Sequence, residues 1–397
     1  MKILFIAPRL PWPADTGAKI RTLNILKQLR KFAEVDLACF SFETDDHDHL
    51  SEFKPLGIRV FLIKPKPINV LQQIFHIIFH PQPFSGWKYF STEMENTLRQ
   101  LSYNNHYNAV HIDHIHMAHY KQCFPTLPCI IDEHNVEFRI LERCAEVERF
   151  FLKRLAYITQ AKKMKTFETF YVKKAAAVLA VSEDDKKLLE TMPHEKDKIF
   201  TVFNGVDTGY FNAPFTWPEE DTIVFTGSMD WLPNSDAMLY FEKEILPLVW
   251  AKNKHVKLVI IGKSPTRAVL ELANKDSRIV VTGRVDDVRP FIEKAKVFIV
   301  PIRIGGGTRL KILEAMSMRK AVVSTSVGAE GISYAQGKNI LIADTPQQFA
   351  DEILSLLENY SHCQELGEDA RKLVCSTYDW NIVGEKLKNI YQRITHE

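Results

Sequence analysis

The chain has 397 residues, of which 46% are hydrophobic and 25% charged, and its formal net charge is +2. This length is too great for one ordinary domain, so we expect two. The composition is ordinary for a globular protein, and the nearly balanced charge gives no case for nucleic-acid binding. Six cysteines without paired metal-type spacing, and no secretion signal, predict reduced thiols and a cytoplasmic location.

Short apolar runs separated by helical stretches make up the first half of the chain. Lys2–Ala7 predicts a buried strand, and the helix predicted after it has its apolar residues on one face. Further strands are predicted at Val35–Phe40, Ile58–Ile63, Ala109–Ile112, Cys129–Asp132, Ala177–Val181 and Ile199–Phe203. This alternation predicts a parallel sheet with helices on both faces.

A second alternating series follows the turn signal Asn204-Gly205-Val206-Asp207 and a loop-like hinge at Pro214–Glu220. Its strands are predicted at Thr222–Phe225, Val256–Ile261, Arg278–Val281, Val297–Val300, Ala321–Ser324 and Asn339–Ala343. The runs are short and almost wholly apolar, as expected of strands buried on both faces. The predicted fold class is therefore α/β, with two doubly wound domains facing each other across a cleft. We place the domains at residues 1–203 and 204–377, followed by a terminal helix over residues 378–397.

The stretch around Gly305–Gly307 predicts a place for an anion. It follows the apolar run Val297–Val300 and precedes a helix predicted over Leu310–Met318, so the glycines form a turn at the carboxyl end of a strand. Glycines let the backbone approach a ligand closely. The start of the helix adds unpaired N–H groups and the positive end of the helix dipole, which together suit a phosphate.

Side chains around this turn favour a nucleotide diphosphate over the alternative of a plain structural turn. Two arginines and a lysine crowd the helix start and would repel one another without an anion. They are Arg303, Arg309 and Lys311. Glu314 lies about 9 Å along the helix axis from Thr308, so its carboxylate can reach sugar hydroxyls of the same nucleotide. The stretch matches neither the Walker loop nor the dinucleotide fingerprint.

At these motifs the chain resembles the retaining glycosyltransferases of family 4, also called glycosyl transferases group 1, which have the GT-B fold. The resemblance covers nearly the whole chain and is strongest from Arg284 to Met316, then at Ala321–Thr325 and Gly328–Gly331. Asn204–Asp207 matches the family's turn between the domains. Gly227–Trp231 matches a variant of the first strand-to-helix turn of the second domain.

The resemblance implies transfer of a sugar from a nucleotide-diphosphate sugar, expected to be a UDP-sugar, with its anomeric configuration kept. It implies a donor site in the second domain, acceptor binding in the first, a terminal helix that crosses back to the first domain, and no metal or other cofactor. The acceptor would be a glycan or a lipid-linked sugar in cell-surface polysaccharide biosynthesis. The residues that it assigns to the donor are Gly17, Ser228, Arg284, Val285, Gly305, Gly306, Gly307, Thr308, Arg309, Leu310 and Glu314.

Two positions depart from the family pattern. Glu314 matches the second glutamate of the family's pair, but the first glutamate's position, eight residues earlier, holds Gly306. The basic pair that often follows the first strand of the second domain is also missing, because Ser228 and Asp230 stand there. We take Arg303 and Lys311 as its replacements and as catalytic groups that face the leaving diphosphate. Backbone N–H groups of the glycine turn are the candidates for the donor sugar's hydroxyls.

In the first domain, Asp113 matches the place where family members carry a histidine or aspartate facing the cleft. As a catalytic group it would orient the acceptor hydroxyl or accept its proton, and a solvated loop carboxylate is the equally weighted alternative. His134 and Glu137 follow the next strand and are candidates for acceptor binding, with loop capping as the alternative. Four histidines crowd Asp113, but their spacing fits no standard metal site. They are His111, His114, His116 and His119.

Two stretches bear on partners. One has a broad apolar stripe flanked by lysines, and the other is a long helical run with basic and aromatic residues. The stripe comprises Val70, Leu71, Ile74, Ile77 and Ile78, and the run contains Lys153, Arg154, Lys162, Lys163, Lys165, Lys173 and Lys174. We expect each to be a helix that faces the core with a solvated basic face. Peripheral contact with the cytoplasmic surface of the inner membrane is the alternative.

Two other functions compete with sugar transfer. Nucleotide-sugar 2-epimerases share this fold and this type of donor, and they turn over a nucleotide sugar without an acceptor. A non-catalytic, donor-binding relative is the other alternative, suggested by Gly306 in the position of a glutamate. The retained Glu314 and the basic cluster argue against lost donor binding.

Overall fold

The computed structural model describes residues 1–195, 197–305 and 307–395. The chain forms two compact units. The first unit comprises Met1–Phe203 together with the chain from Val383 onward, and the second comprises Asn204–Ile382. The chain therefore changes unit within its last helix, after Ile382.

Within the described residues, the first unit has a sheet of seven parallel strands in the order β3-β2-β1-β4-β5-β6-β7. The strands are β1 (Lys2–Ala7), β2 (Glu34–Phe40), β3 (Arg59–Ile63), β4 (Ala109–Asp113), β5 (Cys129–Glu133), β6 (Ala177–Ala180) and β7 (Ile199–Thr201). The strand order reverses at β1, which pairs with β2 through Ile3 and Val35 and with β4 through Ile3 and Ala109. Ligands of doubly wound sheets bind at the carboxyl ends of strands at such a reversal.

Helices cover the first sheet and connect its strands. They are α1 (Gly17–Leu29), α2 (Val70–Phe79), α3 (Phe84–Lys88), α4 (Thr92–Asn104), α5 (Glu137–Val147), α6 (Phe151–Lys174) and α7 (Glu183–Glu190), with 3₁₀ segments at Asp48–Phe53 and Ile115–Cys123. Residues Ile3 to Ala7 of β1 are completely buried, which accounts for the uninterrupted apolar run in the sequence.

The second unit, as far as the structure describes it, has a sheet of six parallel strands in the order β10-β9-β8-β11-β12-β13. The strands are β8 (Thr222–Thr226), β9 (Lys257–Ile261), β10 (Ile279–Gly283), β11 (Val297–Val300), β12 (Ala321–Ser324) and β13 (Leu341–Ile342). This sheet reverses between β8 and β11, which pair through Ile223 and Val297. The loops after β8 and β11 therefore meet at the reversal.

The helices that follow these strands complete the second unit and lead back to the first. They are α8 (Leu232–Tyr240), α9 (Leu246–Lys252), α10 (Arg267–Lys275), α11 (Arg289–Glu293), α12 (Leu310–Ser317), α13 (Pro346–Glu358), α14 (Tyr360–Thr377) and α15 (Trp380–Thr395), with a π-helical segment at Phe241–Ile245 between α8 and α9.

The strands confirm the α/β prediction. Each predicted strand is present, with its ends within two residues of the predicted ones, and β1, β11 and β12 have the predicted bounds. The helix predicted to begin at Leu310 begins there, and the last helix begins at Trp380 rather than Tyr378. The apolar runs in the sequence predict these strands well, because strands buried on both faces are uniformly apolar.

Two helices contradict the expectation that their apolar residues face the core. Four members of the predicted stripe, Val70, Leu71, Ile74 and Ile78, are exposed on α2. The start of α6 likewise exposes Phe151, Leu152 and Leu155. Helical periodicity shows that a face is apolar, but it does not show what covers that face.

Candidate functional site

The turn between β11 and α12 has the conformation that its glycines predict. Gly305 and Gly307 have φ values of 111° and 79°, a region that residues with a Cβ rarely adopt. Gly306, the third predicted glycine, lies outside the described residues. Helix α12 begins at Leu310, after Arg309, and no side chain among the described residues caps its first turn. The first N–H groups of α12 therefore have no capping side chain.

Lys311 is held at the reversal point of the second sheet. Its ammonium donates a 2.9 Å hydrogen bond to Oδ1 of Asn234 and lies 3.9 Å from the ring centre of Phe225, at the end of β8. Burial lowers the pKa of Lys311 to about 7, and the nearby Arg309 guanidinium lowers it further. Lys311 is thus an amine that a bound anion would favour in its charged form.

Asn234 joins the two loops at the reversal. While its Oδ1 accepts from Lys311, its Nδ2 donates a 2.8 Å hydrogen bond to the carbonyl of Ser228. The Ser228 hydroxyl donates to Oδ1 of Asp230 at 2.6 Å. The structure therefore brings the predicted residues Ser228 and Lys311 together. It does so through Asn234, which the sequence analysis did not select although Pro233-Asn234 follows a family-type turn.

Glu314 lies on α12 close to Lys311, as predicted. Burial raises the pKa of its carboxyl to about 7, although the Lys311 ammonium acts in the opposite direction. Thr308 completes this group, because its Oγ1 is buried without a hydrogen-bond partner among the described residues. A buried hydroxyl without a partner costs free energy, so Thr308 is suited to a ligand.

The two arginines predicted beside the turn have different surroundings. Nη1 of Arg309 donates a 3.0 Å hydrogen bond to the carbonyl of Gly307, so Arg309 stays at the turn. Arg303 is half exposed and forms a two-pronged ion pair with Asp236, with distances of 2.8 and 3.2 Å. Its guanidinium also lies 4.1 Å from the ring centre of Tyr240. The sequence analysis did not foresee this ion pair, which uses the Nε and Nη2 atoms of the guanidinium.

The remaining predicted donor residues lie elsewhere. Arg284, exposed, and Val285 follow β10, at the edge of the second sheet and two strands away from β8. Gly17 is in the first unit, where it is the first residue of α1. The preceding Thr16 caps that helix by accepting a 3.4 Å hydrogen bond from the amide of Lys19. Gly17 is exposed, so its backbone is accessible at the start of the helix.

In the first unit, Asp113 ends β4 at the point where the first sheet reverses. Its Oδ2 accepts a 2.9 Å hydrogen bond from the Thr22 hydroxyl, and its Oδ1 lies 2.8 Å from Nε2 of His134. Asp113 is buried, so the alternative of a solvated loop carboxylate is wrong. Burial raises the pKa of Asp113 to about 6, which brings proton exchange within reach of neutral pH.

A second buried carboxylate, Asp132 at the end of β5, is fully paired. Arg21 of α1 binds it through two nitrogens, and the shortest distance is 2.6 Å. Although burial opposes the shift, the Arg21 guanidinium brings the pKa of Asp132 down to about 2. The pKa values of two neighbouring carboxyls are thus shifted in opposite directions, so at neutral pH Asp132 stays ionised while Asp113 is closer to its pKa. Sequence reasoning missed Arg21, which has no motif of its own.

His134 is neutral beside these carboxyls. Burial lowers its pKa to about 3, so at neutral pH it donates from Nε2 to the ionised Asp113. The ring of His114 lies over it, with the ring centres 3.6 Å apart. Glu137 is the first residue of α5 and lies on the same side of the sheet, where its Oε1 is 3.7 Å from Nε2 of His116. The predicted acceptor-side residues are thus clustered, and His134 contacts Asp113 directly.

The same residues include two groupings of metal-ligand type. Ligand atoms of Asp113, His114 and His134 lie within 4.8 Å of one another, as do those of His111, Asp113 and Asp132. Protein partners already engage both carboxylates in these groupings, and the Arg21 guanidinium places a positive charge on the second. The two carboxylates therefore already have hydrogen-bond donors, whereas Nε2 of His111 is buried without a hydrogen-bond partner among the described residues.

Known protein families and relatives match nearly the whole chain. Residues 16–210 match the family model described as Glycosyltransferase Family 4, and residues 220–359 match the one described as Glycosyl transferases group 1. The chain is 22% identical over 392 residues to an uncharacterized 44.6 kDa protein in the cps region of Klebsiella pneumoniae, covering 95% of this chain and 96% of that protein. It is 23% identical over 157 residues to the capsular polysaccharide biosynthesis glycosyltransferase CapM of Staphylococcus aureus, covering 38% and 41%.

Solved structures give the same fold over the full length. HepE of Anabaena, in complex with UDP, matches with a TM-score of 0.68 at 14% identity and coverage of 99% and 100%. Sucrose-phosphate synthase from Thermosynechococcus elongatus matches with a TM-score of 0.74 at 14% identity, covering 100% of this chain and 99% of that one. WaaG, a glycosyltransferase involved in lipopolysaccharide biosynthesis, matches with a TM-score of 0.66 at 15% identity, with both chains fully covered. The chain therefore has the GT-B fold.

Proposed function

The chain belongs to the group 1 glycosyltransferases of family 4, and from this premise we propose that it transfers a hexose from a nucleotide-diphosphate sugar with retention of configuration. The bond between the anomeric carbon and the diphosphate oxygen breaks, and the diphosphate leaves with the electron pair. The acceptor oxygen bonds to the same face of the sugar and gives up its proton. The enzyme thereby lengthens a glycan or lipid-linked acceptor in polysaccharide biosynthesis.

This proposal rests on the arrangement of groups around Lys311. Lys311, held by Asn234, and the start of α12 lie where the strand order of the second sheet reverses. An ammonium group and free helix N–H groups neutralise the charge that grows on a departing diphosphate, without a metal. We assign Arg309 and the Thr308 hydroxyl to the same diphosphate and Glu314 to the ribose. Arg303 stays a prediction, because Asp236 already binds its guanidinium through Nε and Nη2.

The group around Asp113 supports the acceptor side of the proposal. A buried carboxyl with a pKa of about 6, oriented by Thr22 and His134, is suited to accept a proton from a sugar hydroxyl. We assign acceptor binding to His134 and Glu137. In this scheme Asp132 and Arg21 position the site, because the ion pair between them keeps one charge fixed beside the group that titrates.

We take a UDP-sugar as the donor and the cytoplasm as the location. HepE was solved with UDP and with UDP-glucose, and CapM is named for capsular polysaccharide biosynthesis. All six cysteines are free thiols, which is the state that a reducing compartment maintains. The cps-region relative supports a role in a surface polysaccharide.

Thermal shift with a panel of nucleotide diphosphates and nucleotide sugars tests the donor. A ligand present at 100 times its Kd adds about 2.7 kcal/mol to the free energy of unfolding. At equal concentrations, the nucleotide that raises the melting temperature most therefore carries the preferred base.

The nucleotide sugar that binds is then incubated with and without glycan acceptors, and the anomeric configuration of any product is determined by NMR. A β-linked product from an α-linked donor would contradict retention. Complete turnover without an acceptor would establish the epimerase instead, and donor binding without turnover would establish the non-catalytic relative.

A further inference from the structure

Helix α2 exposes nearly all of its apolar side chains. Six large hydrophobic residues on it are between 51% and 78% exposed. They are Val70, Leu71, Ile74, Phe75, Ile78 and Phe79. His76, by contrast, is buried and stacks on Trp87 with the ring centres 4.3 Å apart. The helix is therefore fixed to the first unit by one face and presents a second apolar face that no described residue of the first unit covers. Isolated exposed hydrophobic residues are ordinary, but a helix face of six is not.

A second exposed apolar group lies where α5 ends and α6 begins. Its five members are between 50% and 71% exposed. They are Val147, Phe150, Phe151, Leu152 and Leu155. Helices α2 and α6 contact one another, because Gln160 Nε2 and Lys163 Nζ both donate to the carbonyl of Ile77, at 3.2 and 2.8 Å. We call the two groups together the apolar surface.

Basic side chains accompany the apolar surface and outnumber the acidic ones, of which Glu146 and Glu148 flank Val147. Between residues 64 and 90 there are three lysines and neither aspartate nor glutamate: Lys64, Lys66 and Lys88. Residues 149–163 likewise have five basic residues and no acidic one: Arg149, Lys153, Arg154, Lys162 and Lys163. The net charge of the whole chain is only +2, so these segments are basic well beyond the average of the chain. Apolar side chains interleaved with cations are typical of helices that lie in the interface of an anionic bilayer.

We propose that α2 and the beginning of α6 bind the surface of an anionic lipid bilayer. The apolar side chains would enter the boundary between headgroups and acyl chains, and the lysines and arginines would contact the phosphates. No helix among the described residues is long and apolar enough to span a membrane, so the contact that we propose is with one leaflet. A second copy of the chain is a poor occupant, because two such basic surfaces would repel one another. The proposal does not depend on sugar transfer, and it can be tested without a donor or an acceptor.

Co-sedimentation of the full chain with lipid vesicles tests the proposal. One vesicle type contains phosphatidylcholine alone, and the other contains roughly one-third phosphatidylglycerol, whose negative charge is the variable. We expect binding to the anionic vesicles that falls steeply with added salt. The double variant Lys153→Gln/Arg154→Gln should weaken it by roughly 25-fold, at about fivefold for each cation near the surface. Phe75→Ser/Phe79→Ser should weaken binding to the anionic vesicles by at least tenfold, because two large apolar side chains no longer enter the bilayer.

Matched substitutions elsewhere in the first unit provide the controls. Tyr103→Ser removes an aromatic residue of α4 that is 91% exposed, and Lys187→Gln removes an exposed cation of α7. Both should bind vesicles like the unchanged chain, and all variants should keep its circular dichroism, melting temperature and UDP binding. Absence of binding to anionic vesicles, or equal binding to both vesicle types, would overturn the proposal. So would self-association that Phe75→Ser/Phe79→Ser abolishes without any effect on vesicle binding, because the apolar surface would then join two copies.

Discussion

Burial and hydrogen bonding act in opposite directions on the Asp113 carboxyl. Burial favours its neutral form and raises the pKa to about 6, while the Thr22 hydrogen bond favours the carboxylate. If the carboxylate is the form that accepts the proton, kcat falls as the pH drops below about 6 and levels off above it. Asp113→Asn should lower kcat by about a hundredfold or more and remove this limb of the pH profile.

Nucleotide affinity separates this role from a structural one. Isothermal titration of Asp113→Asn with UDP should give the Kd of the unchanged chain, because the residue is assigned to the acceptor side. Asp184→Asn, which removes an exposed carboxylate of α7 in the first unit, serves as the control for the loss of one negative charge. A comparable loss of UDP affinity in Asp113→Asn would remove the residue from the acceptor side.

The lowered pKa of Lys311 predicts that the protein takes up a proton when the diphosphate binds. Because burial lowers the pKa of Lys311 to about 7, its amine is mostly neutral at pH 8 in the free protein. A diphosphate favours the ammonium form, so UDP binding at pH 8 should take up close to one proton. Titration in two buffers with different ionisation enthalpies measures this uptake. Lys311→Arg, which stays charged at every accessible pH, should bind without it. Identical binding enthalpies in the two buffers for the unchanged chain would refute the diphosphate assignment.

Lys311 and Glu314 should differ in the kinetic constant that each affects. Lys311→Ala removes a charge facing the leaving group, whose negative charge grows as the sugar departs, so the loss falls mostly on kcat. Glu314→Gln keeps the shape of the side chain but weakens charged hydrogen bonds to ribose hydroxyls that are present throughout the reaction. Its Kd for UDP should rise by roughly ten- to a hundredfold. Steady-state rates together with UDP titrations measure both changes. Unchanged UDP affinity in Glu314→Gln would contradict the ribose assignment.

At the scale of elements, Gly227 in the loop after β8 lies so close to Lys311 that a side chain there would collide with it. A Cβ on Gly227 would lie 2.5 Å from Nζ of Lys311 and 2.8 Å from Nδ2 of Asn234. Gly227→Ala should therefore displace both side chains and weaken UDP binding by about tenfold or more. Gly337→Ala is the matched control, because Gly337 also has a positive φ but a Cβ there would meet no atom within 4 Å. It should cost about 1–2 kcal/mol of unfolding free energy and leave UDP affinity unchanged. Equal affinities in the two variants would show that the contact has no role in binding.

The elements could be predicted from the sequence where burial alone determined their pattern. The uniformly apolar strands, such as Val297–Val300, and the glycine turn before α12 needed no knowledge of the neighbouring elements. The partners of the site residues could not be predicted in this way. Asn234 contacts Lys311 across 77 positions, and Arg21 contacts Asp132 across 111, so only the folded sheet brings them together. The apolar face of α2 was assigned to the core because periodicity is the same for a helix covered by protein and for one covered by something else.

For the molecule as a whole, we expect activity that does not depend on a divalent metal. Lys311, Arg309 and the start of α12 supply positive charge to the second unit, and the carboxylates of Asp113 and Asp132 in the first already accept hydrogen bonds from protein donors. Activity with a UDP-sugar should therefore persist in excess EDTA. Loss of activity in EDTA, with recovery on adding magnesium or manganese, would contradict this expectation. Metal analysis of the purified protein before chelation provides the control.

The division of the chain into its two units bears on the order in which they can be completed during synthesis. Tyr391 of α15 is buried in the first unit, where its hydroxyl lies 2.7 Å from Nδ1 of His111 in β4. A ribosome translates every residue of the second unit before it reaches Tyr391, so the unit that begins first is the last to acquire all its parts. A nonsense mutation at any codon of the second unit thus also deprives the first of the helix that packs against His111. In genetic terms, premature stops there should damage the first unit as well as the second.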